Sequence, residues 1–205
     1  AVAQQARGLA ELQSVKARSG LAAPLLQLED PVRLYQYASC PFCNKAQAFM
    51  EFHGIPYEKI EVNPLSKEQI KFSKDYRMVP IALINGKQVN GSGVIIDTLM
   101  GANEKSADES KWCSWVDDHL VHLLPPNIYR TPGEAIQAFD YITTNSGDFS
   151  LAQQYAIRYS GAVIMYFIAK RAKKKYNLSD NARQDLFDAL DTWAGVGLGG
   201  AKFHG

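Results

Sequence analysis

The stretch Leu34-Tyr35-Gln36-Tyr37-Ala38-Ser39-Cys40-Pro41-Phe42-Cys43 decides the reading of this chain. It passes from an apolar, aromatic run suited to a strand into a C-x-x-C tetrapeptide that opens a helix, with Pro41 well placed in the first turn. A cysteine at a helix N-terminus faces unpaired backbone N–H groups and the positive end of the helix dipole, so its thiolate is favoured over its thiol. A free thiol of pKa ~8.5 is only about 3 % ionised at pH 7, whereas in a C-x-x-C setting it falls to roughly 3.5–7.5. Cys40 is therefore the expected reactive sulfur, and Cys43, one turn further in, the resolving partner or a buried bystander. A zinc site would need a second pair of ligands, and the chain offers only Cys113 and the scattered His53, His119, His122 and His204, so no metal is expected.

Outward from the motif, residues 31–103 read as β-α-β-α-β-β-α. The first strand is Val32-Arg33-Leu34-Tyr35-Gln36-Tyr37, and Gly54 stops the helix after it. Residues 57–62 supply a second strand, a parallel neighbour of the first by a right-handed crossover. Ser66-Lys67-Glu68-Gln69 has the form of a capping box opening a short helix through Phe72. Ile81-Ala82-Leu83-Ile84, Asn85-Gly86 and Lys87-Gln88-Val89-Asn90 spell strand, type I′ turn and returning strand. Ser92 is positioned to cap a final helix through Met100. Val79-Pro80 stands at a strand start, where proline is tolerated and an X-Pro bond can be cis. The order C-x-x-C, helix, strand, helix, Val-Pro, hairpin resembles the thioredoxin-like fold, in which the residue before such a proline offers its backbone to an extended peptide such as glutathione.

From about residue 104 the chain turns helical. Residues 101–110 are short, polar and acidic, as in a linker. Helices are expected over 112–123, ending at Pro125-Pro126, and over 132–143, 151–176 and 179–194. His119 and His122, three apart on the first of these, suit packing better than metal binding. The cations among residues 170–175 fit either an anionic membrane surface or a solvated helix C-terminus that opposes the dipole. The fold class is thus α/β plus all-α: an N-terminal arm (1–30), a thioredoxin-like domain (31–103) and a helical domain (104–205).

Composition narrows the function classes. A net charge of +1 and the lack of basic and aromatic interleaving argue against nucleic acid. Three cysteines, two in one tetrapeptide, fit a reducing compartment. The longest apolar run, 162–169, falls well short of the ~20 residues that span a bilayer. The chain begins at Ala1, and residues 1–28 set Arg7, Lys16 and Arg18 against Glu11 alone. That suits the remnant of a mitochondrial import segment or a plain surface helix.

A thioredoxin-like domain followed by helices resembles the glutathione transferases. The phrases around Cys40, together with Glu61-Val62-Asn63-Pro64, Ile70-Lys71-Phe72-Ser73 and Pro126-Asn127-Ile128-Tyr129-Arg130-Thr131-Pro132, are similar to the prostaglandin E synthase type 2 family. The resemblance implies a glutathione-dependent thiol enzyme that isomerises prostaglandin H2 to prostaglandin E2 or carries out glutaredoxin-like exchange, with a hydrophobic small-molecule substrate and haem as a further ligand. On that pattern Cys40 is the reactive thiol and Tyr37 donates to a substrate oxygen or to the sulfur, although an aromatic at a strand end also simply packs. Val79 and Pro80 present backbone to glutathione, and Ser92 meets the γ-glutamyl carboxylate at a helix N-terminus. Where the family pattern has an acidic residue before that serine this chain has Gly91, so glutathione is expected to bind weakly. The family also continues past the glycine-rich tail, and a C-terminally incomplete helical domain would expose apolar faces at Trp112, Trp115, Leu186 and Trp193. From that departure comes the alternative of a weakly active accessory subunit of a mitochondrial membrane complex, its open face covered by a protein partner.

Overall fold

The computed structural model describes residues 25–101, 103–145 and 149–201. The arm expected over 1–30 falls for the most part outside them. The described chain divides into two compact units between Glu104 and Lys105.

The first unit is built on a four-stranded sheet of order β2-β1-β3-β4, with β1 at Val32–Gln36, β2 at Tyr57–Glu61, β3 at Ile81–Ile84 and β4 at Lys87–Asn90. β1 pairs parallel to β2, with Val32 opposite Tyr57 and Gln36 opposite Glu61. It pairs antiparallel to β3, with Leu34 opposite Ala82. Helices α1 (Pro41–Phe52) and α2 (Ser92–Met100) cover one face. Alternation along β1 explains the layering: Val32 and Leu34 join Ala46, Met50, Ile95 and Leu99 in one core, while Tyr35 turns to a second cluster with Val62, Ile70 and Ile81. Met50 is wholly buried, and truncating such a side chain to alanine costs about 2–5 kcal/mol. The β3–β4 turn uses Asn85 at φ 48° and Gly86 at φ 73°, the two left-handed residues a type I′ turn requires. This is the thioredoxin-like arrangement expected from the order of elements.

Two local expectations fail. Ser66 opens no capping box: the short turn is a 3-10 helix, Glu68–Ile70, entered through Lys67 at φ 50° without a side-chain cap. Asn63 competes for the same donors, its Oδ1 accepting from the backbone N–H of Leu65 (2.9 Å) and Ser66 (3.1 Å), while the Gln69 amide oxygen accepts from Asn63 N–H (2.9 Å). Ser92 does not cap α2 either, because Gly91 is the N-cap and Ser92 is the first helical residue.

The second unit is helical: α3 (Ala107–Trp115), α4 (Val121–Ile128), α5 (Pro132–Gln137), α6 (Asp140–Asn145), α7 (Leu151–Lys175) and α8 (Ala182–Thr192). A Ser106/Glu109 capping box starts α3 inside the stretch expected to be linker. Five-residue π turns at Val116–Leu120 and Trp193–Gly197 interrupt the helical spacing. Pro125 and Pro126 lie inside α4 instead of ending it, and the Asn127 side-chain amide donates to the Leu123 carbonyl at 2.9 Å. The helix expected over 132–143 is broken between α5 and α6. Its core joins Tyr129, Phe139, Ile142, Phe149 and Ile157. Trp112 is buried, and its ring lies 5.3 Å from Trp115 and 5.1 Å from Trp193. Trp112, expected to stand open, is thus covered by the other two tryptophans, while Trp115, Leu186 and Trp193 are half-buried; the exposed apolar side chains of this unit include Leu151, Val163, Ile164, Phe167, Phe187, Leu190 and Val196. His119 leans on Trp115 and His122 stacks on Tyr176. Among the described residues no helix is long and apolar enough to cross a membrane.

Candidate functional site: the thiol pair at the start of α1

The end of β1 delivers the motif. After Gln36 the chain makes a tight turn, closed by the Cys40 N–H donating to the Tyr37 carbonyl at 3.0 Å. Cys40 is the N-cap of α1, with extended backbone at φ −79° and ψ 120°, and Pro41 follows in the first turn. Its own carbonyl accepts the first helical bond, from Asn44 N–H at 3.0 Å. Cys40 is partly exposed while Cys43 has no exposed surface. Both carry free sulfurs.

Their environments push the two thiols apart. The Cys43 thiol donates to the Cys40 sulfur, and the Phe42 and Cys43 backbone N–H groups add to it; together they overcome burial and the Glu61 charge and hold Cys40 down at about 7. Cys43, spending its proton on Cys40 and deeply buried, is pushed up. A pair of titratable groups separated in this way marks one as nucleophile and the other as proton holder at neutral pH.

Tyr37 stands beside both sulfurs: burial first, then the charges of Cys40, Cys43 and Glu61, raise its phenol. Tyr76 does the same from the loop before β3, raised by burial and then by Cys40 and Cys43. Both phenols are therefore kept protonated as donors. Tyr76 carries no recognisable motif, and only the pairing of β3 with β1 brings it here.

Val79-Pro80 is cis. Val79 is half-buried against the Tyr35/Val62/Ile70/Ile81 cluster in company with Tyr37 and Tyr76. The Pro80 carbonyl accepts from Gly91 N–H at 3.0 Å, which ties the proline to the start of α2. Ser92 is buried there, and no acidic residue stands in the first turn of α2. Gly91 has φ 83°, and a Cβ built on it would meet Tyr76 Oη at 3.8 Å. Tyr76 thus reaches both groups of expected site residues: its phenol feels the Cys40 and Cys43 charges, and its hydroxyl faces Gly91, which precedes Ser92.

For glutathione the parts fit in kind. A thiolate at a helix N-cap, the backbone beside Pro80 and the amide-rich start of α2 are the donors and acceptors that a short peptide thiol with a terminal carboxylate would use. Among the described residues the first turn of α2 offers no carboxylate to the peptide's ammonium.

Comparison with known proteins adds the lineage. The sequence family described as "Glutathione S-transferase, N-terminal domain" matches residues 34–107. A prostaglandin E synthase 2 of Danio rerio is 37 % identical over 211 residues, covering 78 % of this chain and 55 % of that protein. One of Mus musculus is 35 % identical over 234 residues, covering 88 % and 60 %. Glutaredoxin 1 of Rickettsia conorii is 35 % identical over 68 residues, covering 31 % of this chain and 67 % of that protein. The chain therefore spans little more than half the length of the two synthases. The chain thus carries a glutathione S-transferase N-terminal domain with a glutaredoxin-like cysteine motif and is related to prostaglandin E synthase 2 over most of its own length.

Proposed function

We propose that the protein is a glutathione-using thiol enzyme in which Cys40 is the nucleophile. The observation that carries the reading is the opposed pair at the start of α1, Cys40 held near pH 7 and Cys43 kept protonated beside it. In disulfide exchange the Cys40 thiolate attacks one sulfur of a substrate disulfide. A bond to Cys40 forms, the S–S bond breaks, and the departing thiolate takes a proton from solvent. A glutathione thiolate then attacks the substrate sulfur of the mixed disulfide and releases the Cys40 thiolate, or Cys43 attacks the Cys40 sulfur, releases the substrate thiolate and leaves a Cys40–Cys43 disulfide for glutathione to reduce.

In this reading the backbone around Val79 and Pro80 binds the peptide part of glutathione, and Ser92 with the α2 N-terminus receives its γ-glutamyl carboxylate. Tyr37 serves as donor to an oxygen anion that develops beside the sulfur. Bound glutathione supplies a second thiol at the site. The finer substrate is prostaglandin H2, a hydrophobic peroxide whose isomerisation to prostaglandin E2 needs a thiol and no net oxidant; the likeness to prostaglandin E synthase 2 supports it. Haem has no part in the reading, which assigns the Cys40 sulfur to substrate chemistry. A mitochondrial location and peripheral membrane association belong to the same reading, supported by the basic residues of 1–28 and of 170–175. The comparisons do not support the accessory-subunit alternative.

The test is turnover of a glutathione-mixed disulfide, and separately of prostaglandin H2, by the parent and by Cys40→Ser. Glutathione-dependent turnover that falls at least about 100-fold in the variant supports the nucleophile assignment. Full activity in the variant overturns it, and exchange activity without any prostaglandin E2 removes only the finer substrate.

A further inference from the structure

Glu61 ends β2 directly opposite Gln36, the last residue of β1. Its two carboxylate oxygens reach different partners. Oε1 accepts from the backbone N–H of Ala38 at 2.9 Å, and Oε2 accepts from Gln36 Nε2 at 3.2 Å. The chain of contacts continues inward. Gln47 Nε2 donates to the Gln36 side-chain oxygen and, at 3.3 Å, to Asn44 Oδ1. Gln36 and Gln47 are buried polar residues, so their amides depend on these partners. The network brackets the reactive loop on both sides, with Ala38 two residues before Cys40 and Asn44 and Gln47 on the helix after it.

A carboxylate in this place has an electrostatic consequence. It opposes any negative charge on the sulfur its own hydrogen bonds help to place. That opposition is useful within limits, because nucleophilicity falls as thiol pKa falls and the best attacking thiol titrates near the ambient pH. We propose that Glu61 is the positioning residue of the reactive thiol: it straps the turn before Cys40 to the end of β2 and holds a negative charge beside the loop that carries the sulfur. The inference rests on the reading of Cys40 as nucleophile. The other groups facing that sulfur are the Cys43 thiol, the Phe42 and Cys43 backbone N–H groups, and the phenols of Tyr37 and Tyr76. In the reduced state below pH 9 both phenols stay protonated, which leaves Glu61 as the charged side chain that acts on Cys40.

The experiment is the pH profile of Cys40 alkylation by iodoacetamide in the whole chain, read by mass spectrometry of the Cys40 peptide, for the parent, Glu61→Gln and Glu61→Asp. Glutamine keeps an acceptor and removes the charge, so the midpoint should fall by about half a pH unit. Aspartate keeps the charge on a shorter arm. Its midpoint should stay near that of the parent, while amide exchange at Ala38 should quicken about tenfold or more as the strap is lost. An unmoved or raised midpoint in Glu61→Gln overturns the inference, as does an aspartate variant that shifts as far as the glutamine one. If Glu61→Gln does not fold, the aspartate variant decides the matter, and unchanged Ala38 exchange overturns the proposal. The failures separate: a parent that labels Cys43 or Cys113 first sinks the nucleophile reading and this inference with it, whereas a parent that labels Cys40 first with an unmoved Glu61→Gln profile sinks the Glu61 role alone.

Discussion

A Cβ built on Gly91 points toward the Tyr76 hydroxyl at 3.8 Å. There is room for a side chain at this position, yet the backbone there, at φ 83° and ψ 144°, is one that L-residues rarely adopt. Gly91→Asp should therefore have two effects of opposite value. Glutathione affinity in calorimetric titration should rise, since a charge-assisted contact contributes about 1.5–3 kcal/mol. Thermal stability should fall by about 1–3 kcal/mol from backbone strain. Tight binding by the parent and no gain in the variant would show that the missing carboxylate is unimportant.

Cys43→Ala removes the hydrogen bond that contributes most to lowering Cys40. The Cys40 midpoint should climb by about one pH unit toward that of an ordinary thiol, and alkylation at pH 6–7 should slow accordingly. A midpoint that stays near 7 would mean that the α1 N-terminus alone activates the sulfur.

Stability should follow the same pair through pH. Cys40 has a folded pKa depressed from 9.0 to about 7, so its contribution is present above the unfolded value and is lost as pH falls toward 7; it amounts to at most about 3 kcal/mol. Cys43 is displaced the other way. Above its unfolded pKa the unfolded chain releases that proton while the folded chain keeps it, so stability declines again as pH rises further. Denaturant titrations of the reduced protein should rise from pH 7 toward 9 and turn over beyond it, and Cys40→Ala should flatten the rise. An unaltered curve in that variant would contradict the assignment.

In the helical unit, a Cβ on Gly161 would lie 2.5 Å from Phe139 Cε1. That is a clash against a side chain of the α5–α7 core, so Gly161→Ala should destabilise this unit by about 1–3 kcal/mol. Phe139→Leu in the same background should recover part of the loss, and Cys40 alkylation should be unmoved throughout. Equal stability of parent and Gly161→Ala would show that Phe139 repacks freely.

The parts of this architecture that were readable in the sequence are those with short-range causes. Cys40-Pro41 opens a helix, Asn85-Gly86 makes a type I′ turn, and alternation along β1 assigns Leu34 and Tyr35 to opposite faces, all through chemistry within a few residues. The failures have several causes. Ser66 lost its cap to Asn63, a competitor three residues upstream. Pro125 reads as a stop, and the structure carries α4 through it. The Ser106-x-x-Glu109 box was present in the sequence and lay hidden inside an acidic stretch that resembled a linker. At the site, Cys40, Cys43 and Tyr37 fall together because they are contiguous. Tyr76 and Glu61 enter through strand pairing over 25 residues or more, and no local pattern announces such neighbours.

The most direct test of the whole account is competitive alkylation of the reduced chain across pH 5–9, with each cysteine followed by peptide mapping. Cys40 should label first and half-titrate at about pH 7, with buried Cys43 silent. Labelling of Cys43 or Cys113 ahead of Cys40, or a Cys40 midpoint at the ~8.5 of an ordinary thiol, would contradict the claim that the start of α1 is a thiolate site.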